Sequence, residues 1–240
     1  IRGLVGSEMC IRDRCSGGWL SAGNAFPGAD PSLALMPYWR ESRRLMGRTT
    51  VTERDLLPIS TEALRGPLPI DAQGRCTSIA VGTYANDHHY PGDDWPLAPK
   101  SVRWGGRWSG TPFCIPFDAL ITDSIPNLVM AEKGFSVSHM ANGATRLQPL
   151  ILNLGQVAGL AAAMAVRQGC DLADLEVEAI QSALIHEPQA PAAVLPIWDW
   201  PLWHPHWVKA QEMSLAQPEH LDAMGAVSYT HLRAHETAYY

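Results

Sequence analysis

Residues 127–169 read NLVMAEKGFSVSHMANGATRLQPLILNLGQVAGLAAAMAVRQG, and how this stretch folds decides what the rest of the chain packs around. Residues 127–131 are short and apolar and are expected to form a strand, followed by a polar loop with Gly134 and Gly143. A helix is then expected to open near Leu147, Gln148 and Pro149 and to close at Gly169. Proline suits the first turn, where its missing N–H removes a donor that has no partner anyway, and glycine suits the left-handed residue that ends a helix. Gly155, Ala158, Gly159, Ala161, Ala162, Ala163 and Ala165 leave one side of that helix almost without bulk, so another backbone or a flat ligand can approach closely. The helix start presents unpaired N–H groups and a partial positive charge, which suit an anion or an electron-rich carbonyl edge.

Upstream, residues 111–120 (TPFCIPFDAL) read as extended edge structure, because Pro112 and Pro116 cannot donate to a central ladder. Residues 76–84 (CTSIAVGTY) alternate well enough for a buried strand and run into Asn86, Asp87, His88, His89, Tyr90 and Pro91. Adjacent histidines near an aspartate at a strand end could act as proton donor and acceptor. Neighbours on extended backbone point to opposite sides, so only one of His88 and His89 can face a site; the alternative is a loop pair with one ring hydrogen-bonded and the other in water. No third ligand stands at a spacing suited to zinc, and no metal is expected. Earlier still, residues 39–45 suggest a helical turn ending at Gly47, with an extended TTVT after it. Arg40 and Arg43 would share a face of that turn and could hold a carboxylate or phosphate, or pair with neighbouring acids.

Downstream, residues 171–185 place Leu172, Leu175, Ile180 and Leu184 near helical spacing and are expected to form one amphipathic surface helix. Residues 188–205 are rich in Pro and Trp, and PIWDWPLWHPHW carries Trp198, Trp200, Trp203 and Trp207 beside His204 and His206. The period-two tryptophans suggest extended structure, either a platform for sugar rings or an arm pinned against the main domain. Trp95, Trp104 and Trp108 lie in another Gly- and Pro-rich stretch.

At 240 residues and 46% hydrophobic, the chain can bury a sizeable core in one or two domains. Lys+Arg 18 against Asp+Glu 24 leaves a net charge of -6, without the basic field that nucleic-acid binding requires. Five scattered cysteines, with no C-x-x-C pair, indicate neither a zinc site nor a disulfide framework, so a reducing compartment such as the cytoplasm is the default. Gln148, Asn153 and Gln156 interrupt the most apolar run, and no membrane span is expected. The terminal strings LVGSEMCIRDR (residues 4–14) and AVSYTHLRAHET (residues 226–237) resemble translated sequencing-adapter DNA, which accounts for the spaced pair His231 and His235 without chemistry.

The run IPFDALITDSIPNLVMAEKGFSVSHMANGATRLQPLILNLGQVAGLAAAMA resembles the C-terminal part of the FAD-dependent oxidoreductase family, distantly related to the fumarate reductase and succinate dehydrogenase flavoproteins. PYWRESRRLMGRTTVTERDL and IAVGTYANDHHYP resemble its substrate-side domain, so the likeness spans residues 15–185 and is most specific over residues 142–159. The resemblance implies an α/β fold: part of a Rossmann-like FAD-binding domain joined to a substrate-side domain, with FAD as cofactor and a small organic molecule as substrate. It implies that Ser138, His139, Asn142, Gly143, Ala144 and Thr145 line the approach to flavin, that Arg146 is the basic position, and that Leu147, Gln148 and Gln156 belong to the helix aimed at the ring. Arg146 and one of His88 or His89 are the expected catalytic groups, and Arg40 and Arg43 the expected substrate contacts. The G-x-G-x-x-G unit that grips the FAD pyrophosphate is nowhere in these residues, so the chain is expected to be a fragment whose partner is the missing N-terminal part of its own chain, and to bind FAD weakly or not at all.

The divisions expected are an adapter-like 1–14, a substrate-side domain 15–122, the last strand and helices of the FAD domain 123–187, a Pro/Trp-rich arm 188–224 and an adapter-like 225–240. The rival reading is a non-catalytic carbohydrate-binding module built on the nine tryptophans.

Overall fold

The computed structural model describes residues 43–60, 62–84, 111–223 and 225. Arg40, His88, His89, Trp95, Trp104, Trp108, His231 and His235 lie outside the described residues.

The fold is a mixed α/β arrangement in which helices pack on a small antiparallel sheet. Strand β1 (Ser78–Thr83) pairs with β2 (Pro112–Pro116), Ser78 opposite Pro116 and Thr83 opposite Pro112, with a bulge between Ser78 and Ala80. The two prolines stand at the ends of β2, where a lost donor does least harm to the ladder. Gly82 is required by packing: a Cβ there would strike the Phe113 ring and come within 3.1 Å of Leu150.

Five α-helices are described: α1 (Glu53–Leu56), α2 (His139–Thr145), α3 (Gln148–Gln168), α4 (Val177–Ile185) and α5 (Pro205–Ala216). The start and stop of α3 fall where local chemistry puts them, with Pro149 in the first turn and Gly169 at φ 64°, ψ 37°. Leu150, Leu154, Val157, Ala161 and Met164 form its inner face and join Ile79, Phe113, Ile115, Leu120 and Phe135 in the core. Leu152, Gly159, Ala162, Ala163 and Val166 lie on the exposed side. Helix α3 is, among the described residues, the one helix long and apolar enough to cross a membrane, at mean hydropathy 1.6; its three polar residues interrupt the run without lowering that average enough. Its inner face belongs to the protein core.

Several expectations change. Residues 127–131 form no strand: Ile121 and Val129 make a single antiparallel bridge, after which the chain turns. Residues 139–145 are not loop but helix α2. Ser138 caps it by accepting from the Ala141 N–H at 3.0 Å, and burial of Ala141 through Thr145 overrides the poor helix propensity of Asn, Gly and Thr. Residues 171–185 break into a 3₁₀ turn (Leu172–Asp174) and α4. The five-residue step from Leu175 to Ile180 does not fit a 3.6-residue period, and the extended Leu175 and Glu176 re-aim the chain so that all four apolar residues are buried. Residues 43–47 are irregular, and Gly47 is needed because a Cβ would sit 2.8 Å from Ser136 Cβ, not because it ends a helix.

The C-terminal region is not simply extended. Pro205 opens α5, and Trp207 is buried on it, whereas Trp198 and Trp203 stay exposed and Trp203 adopts a left-handed φ of 65°. The region is clamped by buried amides. Gln211 accepts from the N–H groups of Val194 (3.2 Å) and Leu195 (2.9 Å) and donates to Leu195 O (2.8 Å). Gln181 donates to the carbonyls of Cys76 (2.7 Å) and Ser78 (2.8 Å), tying α4 to β1. Arg65 donates to the carbonyls of Asp222 and Leu221, both at 2.7 Å. Gly225, at φ 75°, packs beneath Trp198.

Candidate functional site

The residues with the strongest sequence signal meet where α2 runs into α3. Two distant segments hold this junction. Residues 49–53 lie alongside residues 136–138: Val51 N–H donates to Ser136 O (3.0 Å), Ser138 N–H donates to Val51 O (2.8 Å), and the hydroxyls of Thr50 and Ser136 are 2.9 Å apart. Thr52 begins α1 in a capping box with Asp55, whose carboxylate accepts from the Thr52 N–H at 2.7 Å. That box aims Glu53 across at Ser138, whose hydroxyl donates to Glu53 Oε2 at 3.4 Å. Residues 52–55 (TERD) carry the S/T-x-x-D/E spacing of a helix start, a signal that could have placed α1 from the residues alone.

From the cap, α2 delivers Asn142, Gly143, Ala144, Thr145 and Arg146 as a buried run. Asn142 donates through Nδ2 to Lys133 O at 3.3 Å, while its Oδ1 has no partner. Thr145 is fully buried, and its hydroxyl also has none. Arg146 is 7% exposed, and its N–H bonds to Asn142 O at 3.3 Å. Leu147 then opens α3 with no side-chain cap, and Gln148 and Pro149 are exposed. The start of a 21-residue helix therefore comes directly after a buried arginine; Pro149 brings no N–H and the Ile151 N–H bonds to Leu147 O at 3.0 Å, so the exposed Gln148 carries the N–H best placed for an outside acceptor.

Other expected site residues lie apart from this junction. Exposed His139 occupies the first turn of α2. Gln156 is about 12 Å farther along α3 than Gln148, and it donates to Ala190 O at 2.7 Å, holding the C-terminal region. Arg43 is exposed, and its backbone carbonyl lies against Gly134 in the loop before α2. Among the described tryptophans, Trp207 is buried and Trp200 is covered by histidine rings, so Trp198, Trp200, Trp203 and Trp207 do not form one exposed platform. Trp200 stacks on His204 (ring centroids 4.8 Å) and tilts on His206 (4.6 Å), and His204 caps α5 by accepting from the His206 N–H.

A cleft of about 370 Å³ opens beyond the 49–53 segment, lined by Thr49, Asp55, Leu68, Asp71, Thr77 and Asp118 among others. Its carboxylates are engaged: Asp71 pairs with Arg75 at 2.8 Å, Asp118 with Arg48 at 3.2 Å, and Asp55 closes the α1 cap. Burial pushes the Asp71 carboxyl up, but hydrogen bonds from the Arg75 backbone and side chain outweigh it and hold the group below the usual range. Among the described residues, no three His, Cys, Asp or Glu side chains come together as metal ligands.

The junction fits a flavin on its own chemistry. Outward N–H groups, a buried cation and orphaned polar atoms suit an electron-rich heterocyclic edge. A model of the family described as FAD dependent oxidoreductase matches residues 17–184. No curated protein and no solved structure matches. The matched region contains β1, β2, the 49–53 segment, the α2–α3 junction and nearly all of α4, and the chain belongs to the FAD dependent oxidoreductase family, with FAD as its cofactor.

Proposed function

We propose that the α2–α3 junction receives the ring end of FAD for hydride exchange with a small organic substrate. The observation that carries this is the uncapped, outward start of α3 directly after buried Arg146. Bound FAD supplies a two-electron acceptor that can take up or return a hydride at ring N5. The chain's own contribution is electrostatic. The N–H groups at the start of α3 and the Arg146 guanidinium stabilise negative charge gathered on the pyrimidine side of a reduced ring. Leu147 and Gln148 supply the backbone of that start, while Ser138 and the 49–53 segment set its approach. His88 or His89 is the proposed proton-transfer group, and Arg40 and Arg43 the proposed contacts to an acidic substrate group.

No G-x-G-x-x-G stands in these 240 residues, so FAD is proposed to bind this chain weakly, with the pyrophosphate grip supplied by sequence outside it. The test is a fluorescence titration of the chain with FAD. Arg146→Ala is expected to weaken binding at least about tenfold, as loss of a charged hydrogen-bond donor does, and Arg146→Lys to recover part of it. Circular dichroism on each variant separates lost binding from lost fold. Unchanged affinity in a folded Arg146→Ala would remove the arginine from the site.

A further inference from the structure

Away from the α2–α3 junction, strained and unanswered groups gather where the Trp-rich loop meets α5. The rings of Trp200, His204 and His206 lie mutually close: centroids are 4.8 Å apart from Trp200 to His204, 4.6 Å from Trp200 to His206 and 5.0 Å between the two histidines. The Trp200 indole N–H is buried with no acceptor. Trp203, immediately before the helix cap, is 64% exposed and holds φ at 65°, a left-handed conformation that a bulky residue keeps only under constraint. The side-chain bond that ties this loop to the helix comes from His204, which opens α5 by accepting the His206 N–H on Nδ1 at 3.2 Å.

An imidazole differs from a serine or asparagine cap because its acceptor takes up a proton. A ring that accepts on Nδ1 carries its hydrogen on Nε2, so the one nitrogen left to protonate is the nitrogen that makes the cap. Once protonated, Nδ1 is a donor set against a donor, and its charge stands at the positive end of a 12-residue helix with a second histidine ring 5.0 Å away. The Trp200 face attracts an imidazolium, but that attraction does not restore the cap. Opening the first turn also lets Trp203 leave its left-handed conformation and lets the Trp200 N–H reach water. The titratable and charged neighbours along the chain are Asp199 on the loop and His206 and Lys209 on α5. Elements packed on α5 bring His186 from α4, paired with Glu212, and Glu219 and His220 from the 3₁₀ turn Pro218–His220, all toward the far end of the helix.

We infer that His204 is a pH-sensitive cap: with Nδ1 bare it holds the start of α5 to the Trp-rich loop, and proton uptake there releases the first turn of α5 and the loop from Trp198 to Trp203. The experiment follows the melting temperature of the 240-residue chain from about pH 8 to about pH 5, the range over which imidazoles change charge. Because the chain holds nine histidines, wild type is compared with His204→Asn, whose amide caps a helix without titrating, and with His206→Gln, which keeps the donated N–H. His204→Asn is expected to match wild type at the upper pH and to lose about 2–4 °C less on acidification, the size of one cap in a chain of this length. His206→Gln is expected to fall as wild type does. Nitrogen-15 spectra of the histidine rings, assigned through bonds to each backbone, are expected to show His204 with its hydrogen on Nε2 at the upper pH. Equal falls in wild type and His204→Asn, a fall abolished by His206→Gln, or a hydrogen on Nδ1 of His204 at the upper pH overturns the assignment. Should His204→Asn fail to fold, the His204 tautomer in wild type decides alone.

Discussion

Two buried polar regions of this molecule are built to opposite ends. In the C-terminal clamp, Gln211 and Gln181 place their amide groups on backbone partners, and the Ser78 hydroxyl reaches Val194 O. At the α2–α3 junction, equally buried Asn142 and Thr145 leave an acceptor and a hydroxyl unanswered, and the adjoining helix start is uncapped. Closed networks stabilise a fold, whereas open ones are retained at a cost in stability where something else must bind. The contrast separates an answered polar cluster from an unanswered one without appeal to exposure, since both are buried.

The severest challenge to this contrast is Gln211→Leu. It strips partners from the Val194 and Leu195 backbones, and a loss of about 3 kcal/mol is expected in chemical denaturation, because each unpaired buried group costs about 1–3 kcal/mol. A loss under about 1 kcal/mol would mean that water already satisfies the clamp.

Next is pH. Burial pushes the Cys114 thiol up to about 12 and the Cys76 thiol up to about 11, from an ordinary value of 9.0. Folded values above unfolded ones mean that this contribution is full below pH 9 and is lost as pH rises toward 11 to 12. Melting temperature is therefore expected to fall through that alkaline window, and less steeply in Cys114→Ala. Parallel slopes would show that the closed side is wetter than its geometry implies.

A smaller effect compares the two regions directly. Ser78→Ala should cost about 1 kcal/mol, since its hydroxyl is bonded, while Thr145→Val should leave stability level or raise it slightly, since its hydroxyl is not. Equal losses by calorimetry would erase the distinction. The smallest effect is at the surface, where His186 and Glu212 pair at 2.9 Å with about half of each side chain exposed. Glu212→Gln should change stability by less than about 0.5 kcal/mol, and added salt should remove even that.

Much of the junction was legible in the residues, because its signals are local. Pro149 and Gly169 bracket α3 through backbone geometry that needs no distant partner, and the alternation over residues 76–84 located β1. Residues 142–159 carry the family likeness, and the match to the FAD dependent oxidoreductase family covers them. Less was legible where burial outvoted propensity. Residues 139–145 contain Asn, Gly and Thr and read as loop, yet a serine cap and a dry environment make them helix. The period-two tryptophans read as extended structure, yet a few residues on Pro205 starts a helix that turns Trp207 into the core.

By itself, then, the order of residues determined the long small-residue helix, its bounds, strand β1 and the family to which the chain belongs, since these depend on each residue's own backbone and its neighbours within a turn. Only the tertiary structure decided that Val51 lies beside Val137, that Gln156 serves the C-terminal region and that Gln211 is answered while Asn142 is not. Hydrogen-bond satisfaction depends on which atoms meet across the fold and which water is excluded there, and no local pattern specifies either.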